Sequence, residues 1–139
     1  MLRWFIILWL LTSTLFSVNA QTFGEPSAIR SIYFGGGSAR VDIRQANQLK
    51  SFLDSIPNIH DYFITVHSHT DNIGGKEYNE RLSKMRSQSV IDLMLKLEKI
   101  KKEMIEVRDF GLYNPVYDNS TWEGRMKNRR VDVILWLVI

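Results

Sequence analysis

Four short segments of this chain, residues 29–34, 62–67, 104–110 and 129–137, carry the residue pattern of β-strands. The alternation is clearest in the last segment, where one set of positions is wholly apolar: Val131, Val133, Leu135 and Leu137. A period of two sends successive side chains to opposite faces of a strand, so an apolar set indicates a face that packs on a core. The pattern therefore predicts four β-strands.

Two longer segments instead repeat at three- and four-residue steps, which is typical of amphipathic helices. Residues 42–56 form the first, which ends before Pro57, and its predicted buried stripe is Ala46, Leu49, Leu53 and Ile56. The second begins near Asn79, and its predicted stripe is Leu82, Met85, Ser89, Leu93, Leu97 and Ile100. A short third helix is predicted at Ser120, because Ser120 and Glu123 have the spacing of a capping box.

The order of these elements is β-α-β-α-β-(short α)-β. It predicts an α/β fold of the α+β type, with a single mixed sheet of about four strands and the two long helices on one face. With 139 residues, of which 45% are hydrophobic and 24% charged, the chain has the composition of one globular domain.

The first twenty residues resemble a secretory signal peptide. Arg3 provides a positive start, residues 4–16 are mostly apolar, and small residues precede a cleavage site after Ala20. The alternative is an uncleaved anchor, but the apolar run is short against the roughly 20 residues that span a bilayer. We therefore expect a signal peptide at 1–20, a flexible lead at 21–27, a domain at 28–139, and export to the periplasm without a membrane span after cleavage.

The chain contains no cysteine. It therefore forms no disulfide and offers no thiol for a lipid anchor after the signal peptide. The net charge is only +3, and the basic residues at 125–130 lack interleaved aromatic residues, so a nucleic-acid partner is not expected. These features predict a periplasmic domain that is associated with the outer membrane only through what it binds.

The segment 67–86 joins the second strand to the second helix through a turn that contains Gly74 and Gly75. The two rigid elements deliver Asp71 and Arg86 to one place, with Asn79 on nearly the same line of the helix as Arg86. Arg86 is expected at the rim of the apolar stripe, with its stem packed and its head facing the turn. A fixed carboxylate and a guanidinium fork suit a zwitterionic ligand. On spacing alone, the alternative is that Asp71 caps a turn and Arg86 is a solvated helix residue.

Two blocks of residues carry a family resemblance. The first consists of Thr70-Asp71, Gly74, Asn79, Leu82-Ser83 and Arg86, and the second consists of Asn119, Thr121, Gly124-Arg125 and Asn128-Arg129-Arg130-Val131. In this order and at this distance, the blocks resemble the OmpA-like C-terminal domain, and the resemblance covers about residues 28–136. It implies noncovalent binding of peptidoglycan through the diaminopimelate residue of the stem peptide. No Ser/His/Asp or Cys/His arrangement is readable in the sequence, so neither catalysis nor a cofactor is expected.

The resemblance also implies roles for individual residues. Asp71 would hold the amine of diaminopimelate and Arg86 its carboxylate. Asn79 and the backbone amides between Thr70 and Asn72 would assist. One of the two residues Arg129 and Arg130 would border the site, and strand register decides which of them points inward. The chain departs from the family at residues 35–37, where three glycines replace acidic or amide side chains, so a side-chain contact from that loop is not expected.

Two other functions fit parts of the sequence. His67, His69 and Asp71 have a spacing that could ligate zinc and look like a segment of metallo-β-lactamase-type hydrolases, but that fold needs a longer chain and further ligands downstream. The domain could also be a periplasmic interaction module that docks to another envelope protein through the second helix and the exposed tryptophans Trp122 and Trp136.

Overall fold

The computed structural model describes residues 25–113 and 115–138. The expected signal peptide and most of the expected lead lie outside the described residues. In chain order the main elements are β1 (Ala28–Tyr33), α1 (Ile43–Ser55), β2 (Tyr62–His69), α2 (Lys76–Leu95), β3 (Ile105–Gly111), α3 (Trp122–Asn128) and β4 (Arg130–Leu137), with 3-10 turns at Ile59–Asp61 and Lys102–Met104. The predicted order of strands and helices is confirmed.

The strands form one mixed sheet in the order β1-β4-β2-β3. β4 lies antiparallel between β1 and β2, with Val133 opposite Val66, and β3 runs parallel to β2 along the other edge. α1 and α2 pack on one face of this sheet, as predicted. The core between them consists of buried apolar residues that include Ile32, Leu49, Leu53, Ile64, Val66, Val90, Met94, Val131, Val133 and Leu135.

α1 begins and buries its side chains as its sequence predicts. The side chain of Asp42 accepts a hydrogen bond of 3.0 Å from the backbone N–H of Gln45 and thereby caps the first turn. Leu49 and Leu53 are fully buried. The helix ends at Ser55, two residues before Pro57, whose ring disfavours a helical conformation at the preceding residue.

The predicted apolar stripe of α2 is only partly correct. Leu82 and Ile100 are buried, and Leu93 and Leu97 pack against the core, but Met85 is 59% exposed and the helix already ends at Leu95. The buried residues of the helix are Asn79, Leu82, Ser83, Arg86, Ser87, Val90 and Met94. Those residues also follow three- and four-residue steps, but several are polar, so the apolar pattern indicated a neighbouring line of the helix. The buried polar side chains of this helix that form hydrogen bonds have specific partners. The hydroxyl of Ser87, for example, donates to the side chain of Asp109 near the end of β3.

The predicted N-cap of α3 is wrong by one residue. Thr121 is the cap, and its hydroxyl oxygen accepts a hydrogen bond of 3.0 Å from the N–H of Gly124. Ser120 instead bonds to Asp118 through both its N–H and its hydroxyl. Because a glycine occupies the third helical position, no capping box forms.

β2 is buried on both faces over most of its length, whereas one buried face was predicted. On the face away from the helices, the indole N–H of Trp136 donates to the Thr65 hydroxyl at 2.8 Å, and the Phe110 ring stacks on His69. These aromatic side chains cover the centre of that face.

Within the described residues, no helix is both long enough and apolar enough to cross a membrane.

Candidate functional site

A cavity of about 210 Å³ lies where the loop after β1 meets the turn after β2, the first half of α2 and the end of α3. The residues that line it come from all four segments: Gly36, Gly37, Asp71, Ile73, Tyr78, Asn79, Leu82, Arg86, Arg125 and Arg129. Three of them are arginines and one is an aspartate. The cavity is therefore small and carries an excess of positive charge.

Asp71 is held from two sides. Its Oδ2 accepts a hydrogen bond of 3.0 Å from Nη1 of Arg129, and its Oδ1 accepts one of 3.1 Å from the N–H of Ile73. An ionised carboxylate has about four lone-pair sites. The carboxylate is thus fixed in orientation and keeps capacity for a further donor.

Arg86 was predicted at the rim of the apolar stripe of α2, and this prediction is wrong. It occupies the centre of the buried line of the helix. Its side chain is 0% exposed, and its guanidinium donates to three backbone carbonyls: Ser38 at 2.9 Å, Gly35 at 3.1 Å and His69 at 3.3 Å. The guanidinium also lies over the Phe34 ring, 5.1 Å from its centroid. Arg86 therefore fastens the glycine loop after β1 to the end of β2.

The burial of Arg86 has an electrostatic consequence. Desolvation lowers the pKa of its guanidinium to about 10, and the neighbouring carboxylate of Asp71 opposes this change. Arg86 thus stays charged at neutral pH. A guanidinium has five N–H donors, and two of those of Arg86 have no hydrogen-bond partner among the described residues.

Asn79 shapes the turn beside the cavity. Its amide donates to the carbonyls of Ile73 and Gly74 at 3.0 and 3.3 Å, while its buried Oδ1 has no partner in the described part of the chain. Gly74 has a φ of +93°, a conformation that L side chains rarely adopt. Asn79 therefore stabilises a turn that requires glycine.

Tyr78 and Arg125 also line the cavity, and sequence reasoning missed both. A Cβ on Gly37 would lie 2.9 Å from the Tyr78 hydroxyl, and a Cβ on Gly74 would lie 2.7 Å from its ring. Tyr78 therefore spans the two glycine-containing loops, and both glycines are needed for its position. Two separate glycine clusters were visible in the sequence, but nothing in their spacing linked them to one tyrosine.

Three of the residues named from the sequence do not line the cavity. Thr70 is buried, and its N–H donates to the carbonyl of Gly111 at 2.7 Å. Asn72 is exposed. Arg130 points away and forms two hydrogen bonds to Asp132, at 3.0 and 3.2 Å. Of the two adjacent arginines, Arg129 is therefore the one that the structure places at the cavity.

The residues of the zinc alternative do not converge on one point. The rings of His67 and His69 both contact Phe110 on the sheet face away from the helices, whereas Asp71 is paired with Arg129. Among the residues that the structure describes, no group of three His, Cys, Asp or Glu side chains is arranged to hold a metal ion.

Comparison with known proteins gives a consistent result. The pattern of the OmpA family matches residues 33–129. The outer-membrane lipoprotein YfiB of Pseudomonas aeruginosa is 33% identical over 104 residues, which are 75% of this chain and 61% of YfiB. The peptidoglycan-binding protein ArfA of Mycobacterium tuberculosis is 30% identical over 119 residues, which are 86% of this chain and 34% of ArfA. The chain thus spans less than two thirds of either relative.

A solved structure shows the same fold. The peptidoglycan-associated lipoprotein of Burkholderia pseudomallei superposes with a TM-score of 0.69 and 25% sequence identity, and the match covers 76% of this chain and 89% of that one. The names of these three proteins describe envelope or peptidoglycan association, and none describes a catalytic activity.

Proposed function

Since the chain belongs to the OmpA family, we propose that it binds peptidoglycan noncovalently in the periplasm, through the diaminopimelate residue of the stem peptide. Two of the similar proteins are named for binding to or association with peptidoglycan. The chain acts in this proposal as a binding module and not as an enzyme.

The observation that carries the proposal is the meeting of Asp71 and Arg86 at one small cavity. Pockets for drug-sized ligands have volumes of roughly 300–1,000 Å³, so a cavity of about 210 Å³ suits the end of a single amino-acid side chain better than a sugar. The free end of diaminopimelate carries one amine and one carboxylate. It therefore matches the cavity in both size and charge.

Each charged group of the ligand has a partner in the cavity. The ammonium group donates to Asp71, which accepts two hydrogen bonds within the protein and has lone pairs left. Arg86 forms part of the cavity wall and is 0% exposed, so the carboxylate reaches its two remaining N–H groups when the wall opens on binding. Arg125 and Arg129 add positive potential at the cavity wall, which attracts an anionic group before contact.

The test is sedimentation of the purified protein with diaminopimelate-containing sacculi. Asp71→Asn removes the charge that holds the amine, and Arg86→Lys keeps a positive charge but removes the fork. Asp71→Asn leaves the ligand amine without its charged partner, which typically costs about 2 to 5 kcal/mol in a desolvated site, and Arg86→Lys removes the two parallel hydrogen bonds that only the guanidinium fork can offer the carboxylate. We therefore expect either variant to stay in the supernatant, whereas the wild type sediments.

Two variants serve as matched controls. Arg81→Lys changes an exposed arginine on the same helix, and Asp61→Asn changes an exposed aspartate outside the cavity. Both are expected to sediment like the wild type, and thermal unfolding shows whether each site variant is folded. Wild-type sedimentation by both site variants would refute the assignment of the site. A wild type that fails to sediment would favour the interaction module.

A second measurement tests the ligand itself. We expect a muropeptide with diaminopimelate to bind at least about tenfold more tightly than its lysine-type analogue, because lysine lacks the carboxylate that Arg86 receives and leaves that charge unpaired. Titration calorimetry with both muropeptides measures the difference. Equal affinities would show that the carboxylate is not recognised.

A further inference from the structure

β1 is an edge strand of the sheet. In the part of the chain that the structure describes, it pairs with β4 on one side only. The N–H of Phe34 donates to the carbonyl of Arg129 at 2.9 Å, and since alternate residues face the partner strand, the even-numbered residues of β1 bond to β4. The backbone N–H and C=O groups of Ile29, Ser31 and Tyr33 therefore point away from the sheet.

One end of this edge is already closed by a side chain. The Gln45 amide accepts from the N–H of Tyr33 at 2.7 Å and donates to the carbonyl of Tyr33 at 2.8 Å. Gln45 thus pairs with Tyr33 as a neighbouring strand would. The groups of Ile29 and Ser31 have no such partner among the described residues, so four backbone hydrogen-bonding groups remain open.

The open edge borders a groove. A depression of about 550 Å³ runs between β1 and α1, and its lining includes Arg30, Arg44 and Gln48. Arg30 donates to the Gln48 side chain at 2.7 Å, but neither arginine forms an ion pair with any described residue. Ile29, on the opposite face of the strand, is 54% exposed. The groove thus combines a strand edge with open backbone groups, two positive charges that form no ion pair with a described residue, and an exposed apolar side chain.

From this arrangement we infer that the β1 edge is a docking site for an extended, acidic segment of a partner protein. The segment adds to the sheet as a further strand and forms hydrogen bonds to Ile29 and Ser31. Because side chains of a strand alternate in direction, an acidic side chain that faces α1 meets Arg30 and Arg44. The alternate side chains face Ile29 and are apolar.

Charge argues against a second copy of this chain as the occupant. In the symmetric antiparallel register that uses the open groups of both Ile29 and Ser31, Arg30 of one copy lies directly opposite Arg30 of the other. Side chains at such positions lie about 4.5–5.5 Å apart, and like charges there are destabilising. An acidic segment instead places a negative charge opposite Arg30, which stabilises the pairing.

This surface is separate from the peptidoglycan site, because none of the residues that line the groove lines the cavity. The proposal therefore does not depend on the proposed function. It adds a protein partner to a cell-wall ligand, and the two binding events are measured independently.

The probe is a short synthetic peptide, blocked at both ends, in which Glu alternates with Val. We expect it to bind the exported, purified protein and to slow amide exchange at Ile29 and Ser31, measured by NMR. A peptide with Lys in place of each Glu is the matched ligand control and is expected not to bind. Equal binding of the two peptides, or no protection by the Glu peptide, overturns the proposal.

Two variants test the contacts. Ile29→Pro removes one outward N–H without touching the bonds to β4, and proline is tolerated at such an edge position. Arg44→Glu reverses an exposed charge on α1 and is expected to weaken the Glu peptide by on the order of tenfold, because an attraction becomes a repulsion. Arg81→Glu, on the exposed face of α2, is the control and retains binding.

Other occupants give distinct results. Slow exchange at Ile29 and Ser31 without peptide, in a protein that sediments as a monomer, shows that the edge is covered by the chain itself. The same protection in a protein that sediments as a dimer shows that a second copy covers it. Either result overturns the assignment of an acidic partner.

Discussion

The guanidinium of Arg129 and the carboxylate of Asp71 form an ion pair of 3.0 Å, with side chains that are 15% and 9% exposed. Arg129 also donates from Nε to the carbonyl of Phe34 at 3.1 Å. This one side chain therefore joins the end of β1, the turn after β2 and the junction of α3 with β4. Three walls of the cavity depend on it.

Removal of Arg129 should therefore reduce stability more than removal of a surface arginine. We expect Arg129→Ala to lower the free energy of unfolding by about 2 kcal/mol, because hydrogen bonds to charged groups contribute more than neutral ones. Urea denaturation measures this value. Arg108→Ala is the control: its pair with Glu106 is 45% exposed on both sides, and its loss should change stability by less than about 1 kcal/mol.

A double-mutant cycle separates the ion pair from the other contacts of Arg129. Combined with Asp71→Ala, the arginine variant should show a positive coupling of at least about 0.5 kcal/mol, as residues in contact do. A coupling near zero would mean that the bond to Phe34, and not the ion pair, accounts for the loss.

Replacement of Arg86 should loosen the glycine loop. Arg86→Met keeps much of the side-chain volume but leaves the carbonyls of Gly35 and Ser38 without their donor, and we expect a loss of about 3 kcal/mol in the free energy of unfolding, the size that breaking a buried hydrogen-bond network produces. Hydrogen exchange should become faster at residues 35–38. Arg81→Met, on the exposed face of the same helix, should change neither quantity. Unchanged exchange in the loop would contradict the anchoring role of Arg86.

The stability of the protein should fall in mild acid because of His69. Burial, which is the largest cause, together with the nearby charges of Arg130 and His67 lowers the pKa of His69 from 6.5 to about 4, against the opposing effect of Asp132. Between these two values the unfolded chain binds more protons than the folded one, so stability decreases as the pH falls from about 6.5 to about 4. A pKa difference of this size corresponds to at most about 3 kcal/mol.

The measurement is urea denaturation at a series of pH values from neutral to mildly acidic. His69→Gln should remove much of the slope, because glutamine does not titrate. His60→Gln replaces an exposed histidine and should leave the slope as in the wild type. If the His69→Gln variant kept the full wild-type slope, the pH dependence of stability would come from other titratable groups.

Gly124 should not tolerate a side chain. A Cβ at this position would lie 1.8 Å from the carbonyl oxygen of Asp118, which is backbone and cannot rotate away. We expect Gly124→Ala to lower the free energy of unfolding by about 3 kcal/mol, near the upper end for overpacking. Gly75→Ala is the control, because its Cβ would meet no atom within 4 Å. Similar thermal unfolding of both variants would show that the turn before α3 can shift.

The order and type of the elements could be predicted from the sequence because the residues that form the apolar core recur at the regular spacing of strands and helices. β4 is the clearest case: Val131, Val133 and Leu135 are all fully buried, as their alternation predicts, and only Leu137 at the end of the strand is exposed. The same holds for Leu49 and Leu53 on α1. Where burial follows hydrophobicity, periodicity is sufficient.

α2 could not be predicted in this way because its buried line is partly polar. Arg86 and Ser87 are buried and bind backbone and side-chain groups of other segments, and those partners lie between 17 and 51 residues away in the sequence. Hydrophobic periodicity contains no information about such distant partners. The choice between Arg129 and Arg130 could not be made from periodicity either, because it depends on the residues at which α3 ends and β4 begins.

The order of strands in the sheet also has a kinetic meaning. Among the described residues β1 pairs only with β4, and β4 is the last of the four described strands, so the first strand finds its neighbour only after some hundred intervening residues have left the ribosome. Contacts of such long sequence separation slow folding. A polypeptide built in this way cannot complete its sheet until nearly all of these residues have been synthesised.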